Sequence, residues 1–297
     1  MLQTFFCLMK LKMEKLKIAI QKSGRLSEKS LELLAECDIK LTQGKRKLLA
    51  LSNDFPVEVL FLRDDDIPQY VSDGVADIGI VGENVALEKG KNIDHIKKLG
   101  FSKCRLSLAV PKEVSYKGLD YFQNASIATS YPKILGDYLK KNKVIAEIHE
   151  ISGSVEIAPG IGLAAGICDI VSSGSTLLSN GLKEVETILN SEAIIIGNQQ
   201  LSEEKASILG KLLFRIEAVQ RGKNNKYILL NAPNDKLDEI IQYLPGMRSP
   251  TIVPLADRKW SSVHSVIYED EFWEVIEKLR GAGAEGILVV PIEKMIL

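Results

Sequence analysis

Two segments share a pattern that constrains the fold of this chain more than any other feature. Gly74-Val-Ala-Asp77-Ile78-Gly-Ile-Val-Gly82 and Gly166-Ile-Cys-Asp169-Ile170-Val-Ser-Ser-Gly174 both read G-x-x-D-I-x-x-x-G. In each, an acidic residue enters an apolar run and a glycine opens the next loop. Short apolar runs rich in β-branched residues and bounded by glycine read as buried strands. A second pair of segments repeats a strand–loop–helix plan. Leu16–Ile20 leads through Gln21-Lys22-Ser23-Gly24-Arg25 to helical periodicity over Ser27–Glu36, with Ser27 placed as N-cap. Ser126–Ala128 leads through Thr129-Ser130-Tyr131-Pro132 to a helix over Lys133–Leu139. The matched units predict two similar α/β lobes around a cleft, with ligand beyond the carboxyl ends of the strands. Unrelated α/β units also share such glycines, so a plain α/β chain without duplication is the alternative.

The last quarter of the chain changes character. Strand patterns at Tyr227–Asn231, Thr251–Leu255, Val263–Tyr268 and Gly286–Ile292 alternate with helical patterns at Asp235–Leu244 and Glu271–Leu279. The order β-α-β-β-α-β predicts a ferredoxin-like, ACT-like module. It carries no cluster of catalytic groups and reads as a regulatory or assembly domain. The polar, turn-forming stretch Val219–Asn225 marks its start. The expected division is a first lobe over 1–104 with a return segment over 183–220, a second lobe over 105–182, and the module over 221–297.

A net charge of −1 argues against a nucleic-acid binder, whose footprint is basic. No apolar run approaches the roughly 18 residues that span a bilayer. Cys7, Cys37, Cys104 and Cys168 show no metal-ligand spacing and read as reduced thiols of a cytoplasmic protein. His95, His149 and His264 have no partner spacing and receive no role. Residues 1–14 read as an extension, with Met13 a candidate start just ahead of the first strand.

The densest chemical signal is Asp169-Ile-Val-Ser172-Ser173-Gly174-Ser175-Thr176-Leu177. An apolar strand ends in hydroxyl residues around a glycine, and Leu177 begins a helix. Outward N–H groups, the helix dipole and the hydroxyls together suit a monophosphate. Asp169, just upstream, suits ribose hydroxyls. A serine-rich turn with a helix cap is the bland alternative, and the P-loop spacing GxxxxGK[ST] is not present.

The pattern Glu156-x5-Gly162-x-Ala164-x2-Ile167-x-Asp169-Ile170-x2-Ser173-Gly174-x-Thr176-Leu177 resembles the signature of the ATP phosphoribosyltransferases, which open histidine biosynthesis. Ile18–Leu26, Arg63–Pro68, Asp77–Asn84, Cys104–Leu108, Ala128–Pro132, Ser249–Pro254 and Pro291–Lys294 also look like that family. The resemblance covers about residues 15–297, including the C-terminal module, and so is similar to the long, self-sufficient form. Ala165 stands where the family commonly carries an acidic residue, and Gly160 where a basic or apolar one is usual.

The resemblance implies transfer of phosphoribosyl from phosphoribosyl pyrophosphate to N1 of ATP, with Mg²⁺ bridging phosphate oxygens. Asp169, Ser172, Ser173, Gly174, Ser175, Thr176 and Leu177 would hold the phosphoribosyl pyrophosphate. Lys22 and Arg25 would neutralise phosphates, and Glu156 would orient the ribose or take a proton from the adenine 6-amino group. Asp77, Glu83, Arg105 and Tyr131 would meet ATP, Tyr131 by stacking on adenine. Feedback inhibition by histidine would act through the module, with Asn231 and Thr251 as contacts, in homo-oligomers ranging from dimer to hexamer.

Two rivals remain at this level. Two α/β lobes around a cleft are also the plan of periplasmic-binding proteins, against which stand the appended module and the lack of a recognisable export signal. A noncatalytic regulatory homologue is the other; Lys22, Glu156 and Asp169 at matching positions argue against it.

Overall fold

The computed structural model describes residues 14–43, 48–244 and 248–297. Residues 1–13 of the N-terminal extension, with the candidate start Met13 and Cys7, lie outside the described residues. Two compact units divide at Leu209, with residues 33–38 joining the C-terminal one.

The first lobe runs β1 (Leu16–Gln21), α1 (Arg25–Glu36), β2 (Leu41–Gln43), β3 (Leu49–Ser52), β4 (Val57–Leu62), α2 (Ile67–Ser72), β5 (Ile78–Gly82), α3 (Glu83–Lys89) and β6 (Asp94–Lys98). The second runs β7 (Cys104–Pro111), β8 (Ser126–Thr129), α4 (Pro132–Lys141), β9 (Glu147–Glu150), β10 (Gly166–Val171), α5 (Ser175–Ser179) and β11 (Leu182–Ser191). The chain then returns as β12 (Ala193–Gly197) and α6 (Glu203–Lys223). The return thus begins at Ala193 and not at 183: β11 pairs with β7 at the edge of the second sheet, satisfying its backbone there.

The duplication is visible in strand order. One sheet contains β4-β1-β5-β12 and the other β9-β8-β10-β7. In each, the middle strand is parallel to both neighbours, and the last strand closes antiparallel. The glycines of the repeated motif correspond, since Gly82 and Gly174 are the N-caps of α3 and α5. The aspartates do not. Asp77 precedes β5, whereas Asp169 lies inside β10: at the same spacing to the capping glycine, β5 runs from Ile78 through Gly82 itself, while β10 begins at Gly166 and ends at Val171, leaving Ser172-Ser173-Gly174 as a loop before α5.

Apolar clusters seat both sheets. Ala19, Ile67, Val81, Val85 and Ile194 fill the first lobe. Leu106, Leu108, Phe122, Ile127 and Leu135 lie on one side of the second sheet, and Ala128, Val155, Ile167, Val171 and Leu177 on the other. The first helix begins at Arg25, two residues before the expected cap. Glu28 N–H bonds the carbonyl of Gly24, whose φ of +94° suits glycine, and Ser27 is a buried residue of the first turn.

In the C-terminal unit, β13 (Asn225–Pro233), α7 (Leu237–Gln242), β14 (Thr251–Pro254), β15 (Trp260–Tyr268), α8 (Phe272–Gly281) and β16 (Glu285–Pro291) follow the expected β-α-β-β-α-β order. The sheet order β14-β15-β13-β16 is that of a ferredoxin-like module. Ile228, Leu230, Ala232 and Val263 pack with Ile240 and Leu279 of its helices. The stretch Val219–Asn225, expected as a turn, is helical as far as Lys223, because α6 continues to that residue. Gly222 is a helical residue against the C-terminal segment: a Cβ there would stand 2.7 Å from the Ile292 carbonyl oxygen.

Candidate functional site

At the carboxyl ends of β1 and β10, Arg25, Glu156 and residues 169–177 line a cavity of about 200 Å³. It draws Arg25 from the first lobe and the rest from the second. Both sides are fixed by ordinary packing. Val171 and Leu177 bury on either side of the Ser172–Thr176 loop, whose side chains are exposed. Gly174 has φ +80°, a turn that strains other residues. Ser173 and Ser175 share a hydroxyl–hydroxyl bond of 3.0 Å across it. Glu156 lies in a single 3-10 turn held by buried Val155 and Ala158, which join the same apolar cluster as Val171 and Leu177. Loop and carboxylate are therefore mounted on one core.

Asp169 is largely buried, and its Oδ1 accepts the N–H of Ile170 at 2.8 Å. Burial pushes its carboxyl up to about 6; the Ile170 N–H opposes the rise and the charge of Glu156 reinforces it. Two carboxylates near one another beside an anion-suited loop and Arg25 form a site able to receive sugar hydroxyls, a phosphate and a cation.

The other sequence candidates separate. Lys22 follows β1, exposed, and does not line this cavity. Asp77 does not reach the cleft. It sits at the opposite, amino end of β5, buried, with its oxygens accepting from Lys205 Nζ at 2.9 Å and Lys17 N–H at 2.7 Å. Glu83 pairs with Lys98 at 3.0 Å and lines a separate pocket beside the lobe crossovers, with Lys103, Cys104 and Glu192. Arg105 is committed elsewhere. Its guanidinium takes both oxygens of Glu184 and bonds the Ser172 carbonyl at 3.3 Å, so it braces the loop from below. Sequence reading missed Glu184 because it is distant in the chain; only the β7–β11 pairing brings it near. Tyr131 sits at the N-cap of α4, its ring packed against the Leu106 cluster. Gly160 and Ala165 lie outside the cavity lining.

In the module, Asn231 pairs across β13–β15 with Ser262, and Thr251 pairs across β14–β15 with His264. Paired residues share a face, so both lie on the sheet face away from α7 and α8.

Residues 63–218 match the family model for ATP phosphoribosyltransferase, and residues 222–294 match that for the HisG C-terminal domain. The chain belongs to the ATP phosphoribosyltransferase family. Matching both models makes it a long-form member. The ATP phosphoribosyltransferase of Bacteroides thetaiotaomicron is 62% identical over 282 residues, 95% of this chain and 100% of the relative. Among solved structures, the ATP phosphoribosyl transferase (HisG:HisZ) complex from Thermotoga maritima is similar at TM-score 0.58 and 30% identity, covering 68% of this chain and 98% of that one. Tv2483 bound to L-arginine shares the fold alone, at TM-score 0.50 and 12% identity over 70% of this chain and 86% of that one. An ATP phosphoribosyltransferase is a pentosyl-transferring enzyme, and this family performs the first step of histidine biosynthesis. No helix among the described residues is long and apolar enough to cross a membrane.

Proposed function

We propose that the cleft transfers phosphoribosyl from phosphoribosyl pyrophosphate to N1 of ATP. The N1–C1 bond forms as the bond from C1 to the pyrophosphate oxygen breaks, giving phosphoribosyl-ATP and pyrophosphate. The convergence of Asp169, Glu156, Arg25 and the Ser172–Leu177 loop on one cavity carries this reading. Positive charge developing at the anomeric carbon suits a site with two carboxylates. The hydroxyls and N–H groups of Ser172–Leu177 hold the 5′-phosphate. Asp169 accepts from the ribose hydroxyls. Arg25 faces the leaving pyrophosphate, and Lys22, one loop away, neutralises phosphate charge. Glu156 orients the ribose or takes the 6-amino proton as N1 becomes bonded.

Among the described residues no group of three or more metal-type ligands exists. Two carboxylates and several hydroxyls fit Mg²⁺ held mainly by substrate oxygens and water, with Asp169 and Glu156 as the protein's contribution. Such an ion would neutralise charge on the pyrophosphate.

The module binds histidine near Asn231 and Thr251 and lowers activity. Its uncovered sheet face, with exposed Tyr227, Val253, Leu288 and Val290, supports homo-oligomers from dimer to hexamer. A cytoplasmic setting belongs to the same reading. Purified protein given ATP, phosphoribosyl pyrophosphate and Mg²⁺ should release pyrophosphate and form phosphoribosyl-ATP. Folded protein that releases none would refute the reaction; activity indifferent to histidine would refute the regulation.

A further inference from the structure

Asn84 is a buried polar residue at the junction of three segments. It is the second residue of α3, in the first lobe. Its backbone N–H donates to Ser191 Oγ at 3.0 Å, and its Oδ1 accepts from the same hydroxyl at 2.8 Å. Its Nδ2 reaches Tyr131 Oη, in the second lobe, at 3.2 Å.

These contacts leave one choice of direction. The Ser191 oxygen already accepts the Asn84 N–H, and its own proton goes to Asn84 Oδ1. The neighbouring Cys104 sulfur is a much weaker acceptor than a carboxamide oxygen. With Oδ1 committed, the Asn84 amide must present N–H to Tyr131. The phenol oxygen therefore accepts, and the phenol proton is free to be donated.

The place of Tyr131 determines what can receive that proton. Tyr131 follows the carboxyl end of β8, and β8 runs beside β10, with Thr129 opposite Cys168. Glu88 of α3 holds this corner by accepting the N–H groups of Lys133 and Ile134 at 2.8 and 2.9 Å. The half-buried tyrosine ring packs against the second-lobe cluster, and its hydroxyl meets Asn84. The negative charges acting on that hydroxyl are those of Asp169, Asp64 and Asp65. In that negative field a neutral ring nitrogen or sugar hydroxyl is a better acceptor for the phenol proton than a phosphate oxygen.

We propose that Asn84 is a positioning residue that fixes Tyr131 as a hydrogen-bond donor to a neutral acceptor atom on the nucleoside part of ATP. This rests on the reaction assigned above and replaces stacking as the role of Tyr131. Because the two residues belong to different lobes, the donor is set only when the lobes are together. Gly82 belongs to the same device: a Cβ there would stand 2.5 Å from Asn84 Oδ1, while the Gly82 backbone, at φ −66°, tolerates any side chain.

Calorimetric titration of the full chain with ATP, and separately with phosphoribosyl pyrophosphate, tests this without requiring turnover. Tyr131→Phe keeps the packed ring and removes the proton. It should weaken ATP binding about tenfold, the worth of one such bond, and leave phosphoribosyl pyrophosphate binding within about twofold. Asn84→Asp turns the donor into an acceptor that captures the phenol proton, and should give the same loss. Gly82→Ala should do so more weakly. The double variant Tyr131→Phe/Asn84→Asp should be no worse than Tyr131→Phe alone, which a merely structural asparagine would not produce. Unchanged ATP affinity in Tyr131→Phe, or additive losses in the double variant, overturns the proposal even if the wild type is active. Should Asn84→Asp not fold, Tyr131→Phe and Gly82→Ala decide the matter. Wild type that binds ATP normally but forms no phosphoribosyl-ATP would sink the assigned reaction and leave this contact standing.

Discussion

Asp77 and Lys205 form an ion pair of 2.9 Å at the amino end of β5, and Asp77 also accepts the backbone N–H of Lys17 on β1. The carboxylate thus fastens two strands and a helix on the side of the sheet remote from the cleft. Removing the Asp77 carboxylate leaves the Lys17 N–H without its acceptor, while Lys205, 24% exposed, can be solvated. Asp77→Ala should therefore lose about 2 kcal/mol of stability, read by urea unfolding. The folded variant should keep its KM for ATP, and a raised KM would return Asp77 to the cleft.

Arg105 supports the loop through a forked contact with Glu184 and a single bond to the Ser172 carbonyl. Lysine keeps the charge and loses the fork. Initial rates of Arg105→Lys should show KM for phosphoribosyl pyrophosphate raised several-fold, with KM for ATP moving less. The Arg105 hydrogen bond holds the Glu184 carboxyl below its usual range. The brace is thus present at neutral pH and is lost as pH falls through that depressed value.

Asp169 works in the opposite direction on stability. Its folded pKa, about 6, lies above the ordinary 3.8, so the folded chain holds more protons between those values. Stability from this group therefore falls as pH rises from about 4 to about 6, and the full cost is present at neutral pH. Asp169→Asn should raise the melting temperature at pH 7.5, by a gain on the order of 2 kcal/mol, while abolishing most activity. The gain should vanish near pH 4. A melting temperature unchanged at pH 7.5 would show that Asp169 is not strained by burial.

Gly222 opposes two effects of known size. In an open helix, glycine to alanine gains about 1 kcal/mol. Here the added methyl meets backbone oxygens of Ile292 and Glu293 at 2.7 and 2.8 Å, and overpacking costs typically 1–3 kcal/mol. Thermal unfolding of Gly222→Ala should show net destabilisation.

The βαββαβ module and the two-lobed α/β plan were legible because hydrophobic period and glycine punctuation are local properties. The Ser172–Leu177 loop was legible for the same reason, its hydroxyls and helix start being contiguous. Reading failed where one sequence pattern serves two geometries. Asp77 and Asp169 share a motif at the same spacing, yet β5 and β10 occupy different stretches of it, which puts one at a strand's amino end and the other inside a strand at the cleft.

By itself, the sequence determined which segments become strands and helices, which family the chain resembles, and which loop can receive an anion. Only the tertiary structure decided which charges remain available to a ligand. Arg105 is consumed by Glu184, Asp77 by Lys205, and the direction of the Tyr131 hydroxyl is set by Asn84. The reason is physical: a side chain's free hydrogen-bonding capacity is what remains after its neighbours are satisfied, and those neighbours are chosen by strand pairing and lobe contact between residues far apart in the chain.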